Sequence, residues 1–187
     1  MCSEYSANVS LNAIEGAFEQ LSIPLVFPKS ALAPCSRGEI RVAQAAPVIR
    51  GVGRGKVAEL VEMCWGWRAT NGRTVFNFRA ESRGFAHGRC LIPALDYYDA
   101  CAEGRGRSRI SLADEPWFCI AGFWRPAGAG GDAFTMLTLP QRQWDNRTGD
   151  RIVVLARRDW ARWLDLDVPA SECLTPLPLD RLRLDAA

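Results

Sequence analysis

The chain alternates between short apolar runs and turn-forming clusters. From Ser10 to Ser22, Leu11, Ile14, Phe18 and Leu21 recur at three- and four-residue steps, which predicts an amphipathic helix with Ser10 as its N-cap. Pro24 stops it, and the stretch from Pro28 to Pro34 is expected to be a loop. Strand patterns follow at Ile40 to Ile49 and Ala58 to Trp67, joined by a glycine-rich turn at Gly51 to Lys56. After a turn at Arg68 to Thr74, further strands are predicted at Val75 to Glu81, Arg89 to Pro93 and Leu95 to Ala100, with Arg105 to Arg109 a basic loop or strand start. Trp117 to Trp124 and Phe134 to Leu139 are continuous apolar strands around a glycine-rich loop at Ala127 to Gly131. Arg151 to Leu155 is a last strand, and Trp160, Trp163 and Leu164 mark a short helix from Asp159. Strands linked by turns, with helices near the two ends, predict an α+β fold and argue against a doubly wound parallel sheet.

Composition narrows the class further. At 187 residues the chain is expected to be one domain, 1–187, with an irregular C-terminal tail over 170–187. That length suffices to bury roughly 70% of the unfolded surface, so no disulfide or metal is needed for folding. The net charge of +2 announces no nucleic-acid partner by itself, although Arg far outnumbers the two lysines, Lys29 and Lys56. Seven cysteines without a CxxC pair read as reduced thiols of a cytoplasmic protein. No signal peptide or membrane span is expected. The single histidine, His87, makes a His-rich metal site implausible, so neither metal nor cofactor is expected. Gly51 to Lys56 has the wrong spacing for a phosphate loop and lacks the following Ser or Thr, so it is read as a basic hairpin turn.

The candidate chemistry begins at Cys2. Its small side chain in second place permits removal of Met1, which leaves a thiol and a free α-amine on adjacent carbons. Such a 1,2-aminothiol closes on an aldehyde to give a thiazolidine, or lets the amine serve as base for its own thiol, as in N-terminal-nucleophile hydrolases. The bland reading is a start-codon neighbour buried in a core. Asn77, between two phenylalanines, is either a satisfied core amide or a positioned hydrogen-bonding group. Arg79 and Glu81 read as an exposed ion pair or as functional charges. Asp96 and Asp99 flank Tyr97 and Tyr98, and Asp99 is either a turn residue or a carboxylate poised for proton transfer.

Six segments occur together: Met1-Cys2, Trp65-Gly66-Trp67, Asn77-Phe78-Arg79-Ala80-Glu81-Ser82, Arg89-Cys90-Leu91-Ile92-Pro93-Ala94, Tyr97-Tyr98-Asp99 and Ala121-Gly122-Phe123-Trp124. In order and spacing they resemble the SOS response-associated peptidase (SRAP) family, the abasic-site processing proteins, over roughly Met1 to Leu164. The resemblance implies a bifurcated, barrel-like, mostly antiparallel sheet flanked by helices. It also implies binding of single-stranded or abasic-site DNA, and a thiazolidine between the N-terminal cysteine and the ring-opened sugar. Carried over, Cys2 is the nucleophile, Asn77 holds the N-terminus and sugar, and Asp99 stands where the family has a glutamate. Arg79 and Arg151, with Trp65, fall to DNA contact. Three positions depart from the pattern. Gly149 occupies the place of the family histidine, Asp99 is one methylene shorter than glutamate, and Glu4 replaces an arginine. Two other functions stay open: a catalytically impaired relative that binds DNA or protein, and an N-terminal-cysteine amidohydrolase or autoprocessing peptidase.

Overall fold

A computed structural model of the chain describes residues 2–28, 38–53, 55–100, 106–128, 131–140, 150–175 and 177–186. In chain order, β1 (Glu4–Ser6) and α1 (Leu11–Gln20) are followed by β2 (Leu25–Val26), β3 (Glu39–Arg41), β4 (Ala45–Val52) and β5 (Val57–Trp65). Next come β6 (Trp67–Arg68), β7 (Thr74–Val75), β8 (Asn77–Arg79), β9 (Arg89–Ala94), β10 (Asp96–Ala100) and β11 (Arg107–Leu112). The last part contains β12 (Phe118–Pro126), β13 (Asp132–Pro140), β14 (Asp150–Ile152), β15 (Val154–Leu155), α2 (Trp160–Leu164), α3 (Ala170–Cys173) and β16 (Leu182–Ala186). This is the expected α+β class.

Five strands form one antiparallel sheet in the order β16-β11-β10-β1-β3. The larger sheet runs β14-β13-β12-β9-β4-β5-β2. Because β13 also pairs in parallel with β5, at Ala133↔Cys64 and Phe134↔Trp65, strands β4, β5, β13, β12 and β9 close into a hydrogen-bonded ring. Period-two alternation gives the ring two buried faces. Cys90, Ile92, Phe118, Ile120, Phe134 and Met136 join Tyr5, Tyr97 and Ile110 of the smaller sheet in one core. Leu91, Cys119, Ala121 and Leu137 face the other way, under Ile14 and Phe18 of α1 and Trp160 and Trp163 of α2. Burial on both faces is why these strands read as unbroken apolar runs.

The expected first helix is present, capped by the Ser10 hydroxyl accepting from the Ala13 amide at 3.3 Å. Among the described residues no helix is long and apolar enough to cross a membrane. Five expectations differ from the structure. Two of them are the strands expected at Ala58 to Trp67 and Val75 to Glu81, which are divided at Gly66 and Phe76 into β5 and β6 and into β7 and β8 of different sheets. The run from Ile40 to Ile49 is two strands in two different sheets, β3 and β4, broken by a turn in which Ala43 takes φ 70°. Arg151 to Leu155 is likewise split, β14 pairing with β13 and β15 with β12, while the Val153 amide donates to the Leu137 carbonyl between them. Finally, the tail is not irregular, since β16 pairs with β11 over five residues and seats Leu182 in the core. The expected loops at Pro28 to Pro34 and Ala127 to Gly131 lie partly outside the described residues.

Candidate functional site

Strand β1 sits between β3 and β10, with Tyr5 opposite Tyr97, and this pairing carries Cys2 into the core between the two sheets. Cys2 is fully buried, and its thiol donates to the Glu4 carbonyl at 3.2 Å. Asn77 approaches from the larger sheet. Strand β8 lies parallel to β13, Asn77 beside Met136, and the Asn77 Nδ2 donates to the Cys2 carbonyl at 2.8 Å. The same amide's Oδ1 is buried and accepts no hydrogen bond from the protein. Asn77 also lines a depression of about 250 Å³ together with Asn71, Arg73, Thr74 and Val75. A buried acceptor without a protein donor has an energetic demand of about 1–3 kcal/mol for a partner, so the amide is poised to receive one.

Burial pushes the Cys2 thiol up to about 12; hydrogen bonding to the backbone of Glu4 and Tyr98 opposes the rise and the negative charge of Asp99 adds to it. Asp99 therefore lies within electrostatic reach of the sulfur. The structure thus brings Cys2, Asn77 and Asp99 together. It places the other three candidates differently. Arg79 is exposed and forms a bidentate pair with Asp150, Nε to Oδ2 at 2.8 Å, in place of any pairing with Glu81. Hydrogen bonding from Arg79 holds the Asp150 carboxyl below its usual range. Arg151 turns inward, where its Nη2 donates to the Leu177 carbonyl at 2.9 Å and Tyr97 is its neighbour. Trp65 is fully buried: its indole N–H donates to the Phe76 carbonyl at 2.9 Å, its ring stacks on Phe134 and takes the edge of Tyr5. That leaves no indole face for a base, so Trp65 supports the site from within the core. Asp96 is a buried ion-pair partner of Arg109 at 2.7 Å, not a reactive carboxylate. Gly149 lies outside the described residues.

One feature of the site escaped the sequence. Glu4, whose negative charge beside the nucleophile looked like a reversal, is nearly buried and held by Arg107 and by Arg41 at 3.5 Å. The signal was the spacing of Arg107 and Arg109: a strand turns residues two apart to one face, here toward Glu4 and Asp96 respectively.

A ring-closed mixed sheet, with Cys2 tied to a facing strand by an asparagine amide, makes this an α+β protein. The chain belongs to the SRAP family, SOS response associated peptidase, whose model matches residues 1–185. That description links the chain to the response to DNA damage. Solved structures similar in fold include a protein from Bordetella bronchiseptica, with TM-score 0.71, 21% identity, and 100% of this chain and 99% of that chain covered. A protein from Bacteroides thetaiotaomicron matches with TM-score 0.72 and 16% identity over 99% of this chain and 91% of that one. A phage-related protein from Bordetella bronchiseptica matches with TM-score 0.72 and 17% identity over 100% and 94%. No curated protein matches the sequence.

Proposed function

We propose that the chain binds single-stranded DNA and captures abasic sites through Cys2 after Met1 is removed. The observation that supports this reading is the 2.8 Å hydrogen bond from Asn77 to the Cys2 carbonyl, which fixes the N-terminal residue beside a side chain with a free buried acceptor. With Met1 gone, the Cys2 α-amine attacks the open-chain aldehyde of the abasic sugar. Loss of water gives an imine, and the thiol adds across it: the sulfur bonds to carbon and the thiol proton passes to nitrogen, closing a thiazolidine. In this order the imine forms first and the thiol gives up its proton as the sulfur bonds to carbon, with Asp99, whose charge acts on the sulfur, as the group proposed to carry that proton. Asn77 would orient the amine, and Arg79 would exchange Asp150 for a phosphate.

The test is an intact mass of the processed protein with and without abasic single-stranded DNA. The expected result is a covalent adduct equal to the sum of the two minus water, abolished by Cys2→Ala. Absence of any adduct in protein shown to lack Met1 would sink the reading. A second reading, a binding module without chemistry, draws on the complete burial of the Cys2 thiol. It expects Cys2→Ala to leave DNA affinity and cellular effect unchanged with no adduct at any time.

A further inference from the structure

Among the described residues most guanidinium groups are held by carboxylates or backbone carbonyls. Arg41 and Arg107 pair with Glu4, Arg50 with Glu59 and Asp132, Arg79 with Asp150 and Arg109 with Asp96. Arg157, Arg162 and Arg181 also hold carboxylates, while Arg89 and Arg151 donate to backbone carbonyls. Arg83 and Arg125 differ. Both are exposed, and among the described residues neither has a carboxylate within ion-pair distance; each lies over an aromatic ring instead. Arg125 stands 5.0 Å above Trp67, and Arg83 4.5 Å above Phe78.

Those two rings belong to one stripe. Trp67 meets Phe123 at 6.0 Å, and Phe123 stacks on Phe78 at 6.0 Å with 23° between planes. All three are half-buried. The order along the surface is therefore Arg125, Trp67, Phe123, Phe78, Arg83. Strand geometry builds it: Phe123 and Arg125 are two apart on β12, and Phe78 follows Asn77 on β8 and so takes the opposite face. Arg68 and Arg73, on the β6–β7 hairpin with Trp67, also lack a carboxylate partner among the described residues. Phe85 underpins the stripe, 5.7 Å from Phe123.

Partly exposed rings in sequence with uncompensated arginines at both ends match what a single nucleic-acid strand recognises: aromatic faces for its bases and guanidinium groups for its phosphates. We propose that Trp67, Phe123 and Phe78 form a second contact track for single-stranded DNA, on the face of β8 opposite Cys2, with Arg83 and Arg125 as its phosphate-binding ends. It rests on the reading of the chain as a DNA-binding protein but not on chemistry at Cys2. A base arriving on Trp67 displaces the Arg125 guanidinium from the ring and leaves it to pair with the adjoining phosphate; Arg83 behaves likewise at Phe78.

The experiment uses full-length Cys2→Ala protein and undamaged oligothymidylate, followed by fluorescence anisotropy across a salt series. The double variant Arg83→Ala/Arg125→Ala is expected to bind more weakly and to lower the log–log salt slope by about 1.4, near 0.7 for each phosphate that is no longer neutralised. Trp67→Ala should weaken binding by about tenfold, because a base then has no indole to stack on. If Trp67→Ala does not fold by circular dichroism, the arginine variants, altered only at exposed positions, decide the matter. Unchanged affinity and slope in the double variant, or no binding of oligothymidylate by the Cys2→Ala protein, would overturn the track. Adduct formation by the wild-type protein separates the two ideas. An adduct with an unaffected double variant removes the track and keeps the Cys2 reading, and a reduced salt slope without any adduct does the reverse.

Discussion

Glu4 shows how one side chain is made tolerable beside a nucleophile. Burial alone would raise its pKa, but the hydrogen bond from Arg107 and the charges of Arg107 and Arg41 outweigh it and hold the carboxyl below its usual range. A group whose folded pKa is depressed contributes stability above its unfolded pKa of about 4.3 and loses it as pH falls through the folded value. Glu4→Gln keeps the shape and removes the charge that Arg107 and Arg41 answer. Its expected effect at pH 7 is a loss of about 1.5–3 kcal/mol, the scale of a hydrogen bond to a charged group. Urea unfolding at several pH values checks this: the gap between wild type and variant should close below about pH 4. A gap that stays constant to pH 3 would mean that packing, not charge, holds Glu4. The Cys2–Asn77 contact is a residue-scale fact of another kind, since it links the smaller sheet to the larger through a single neutral hydrogen bond.

At the scale of elements, β9 and β12 show how tightly the ring is packed. Gly122 lies opposite Cys90, and a Cβ built there would meet the Cys90 sulfur at 2.7 Å and the Ile92 Cδ1 at 2.9 Å. Gly122→Ala is therefore expected to destabilise by about 1–3 kcal/mol through overpacking. Cys90→Ala in the same chain should recover part of that loss, because the clash is between two side-chain atoms. A double-mutant cycle by thermal unfolding reads the coupling, and strict additivity would place the strain at Ile92 or in the backbone instead. This packing explains what could be read from the sequence. Doubly buried strands such as β12 and β13 declare themselves by apolar runs, and α1 by its 3.6-residue period with Ser10 and Pro24 as its limits. The break inside Ile40 to Ile49 was hidden because Ala43, not a glycine, takes the positive φ at the turn. The tail strand was hidden because charges alternate along it, a pattern that suits one exposed face of a strand as well as a loop. At the site, Cys2, Asn77 and Asp99 were legible through the family pattern. The inward turn of Arg151 and the burial of Trp65 were not, since residue type alone does not tell a guanidinium on a carbonyl from one on a phosphate.

At the scale of the molecule, the core between the two sheets keeps several weak acids neutral. Burial raises the pKa of Cys2, Cys90, Tyr5 and Tyr97 on that side of the ring, and of Cys119 on the other. In the unfolded chain these thiols would ionise near pH 8.5 and the phenols near pH 10. A folded pKa above the unfolded one gives stability that is complete below the unfolded value and declines as pH rises beyond it. All five groups act in the same direction, so the thermal midpoint is expected to hold steady to about pH 8 and to fall steeply between about pH 9 and 11. Single groups can be taken out of the sum: Tyr5→Phe removes one phenol while keeping the ring against Trp65, and Cys119→Ala removes one thiol. Each substitution should flatten the alkaline limb of a midpoint-against-pH curve, Tyr5→Phe only above about pH 10 and Cys119→Ala from about pH 8.5. Alkaline limbs that superimpose on wild type would show that the buried acids do not set the fall. Cys2 is bound by the same balance: a pKa of about 12 leaves on the order of one thiol in ten thousand ionised at pH 8. Its sulfur is thus kept protonated by the same burial that limits the whole fold at high pH.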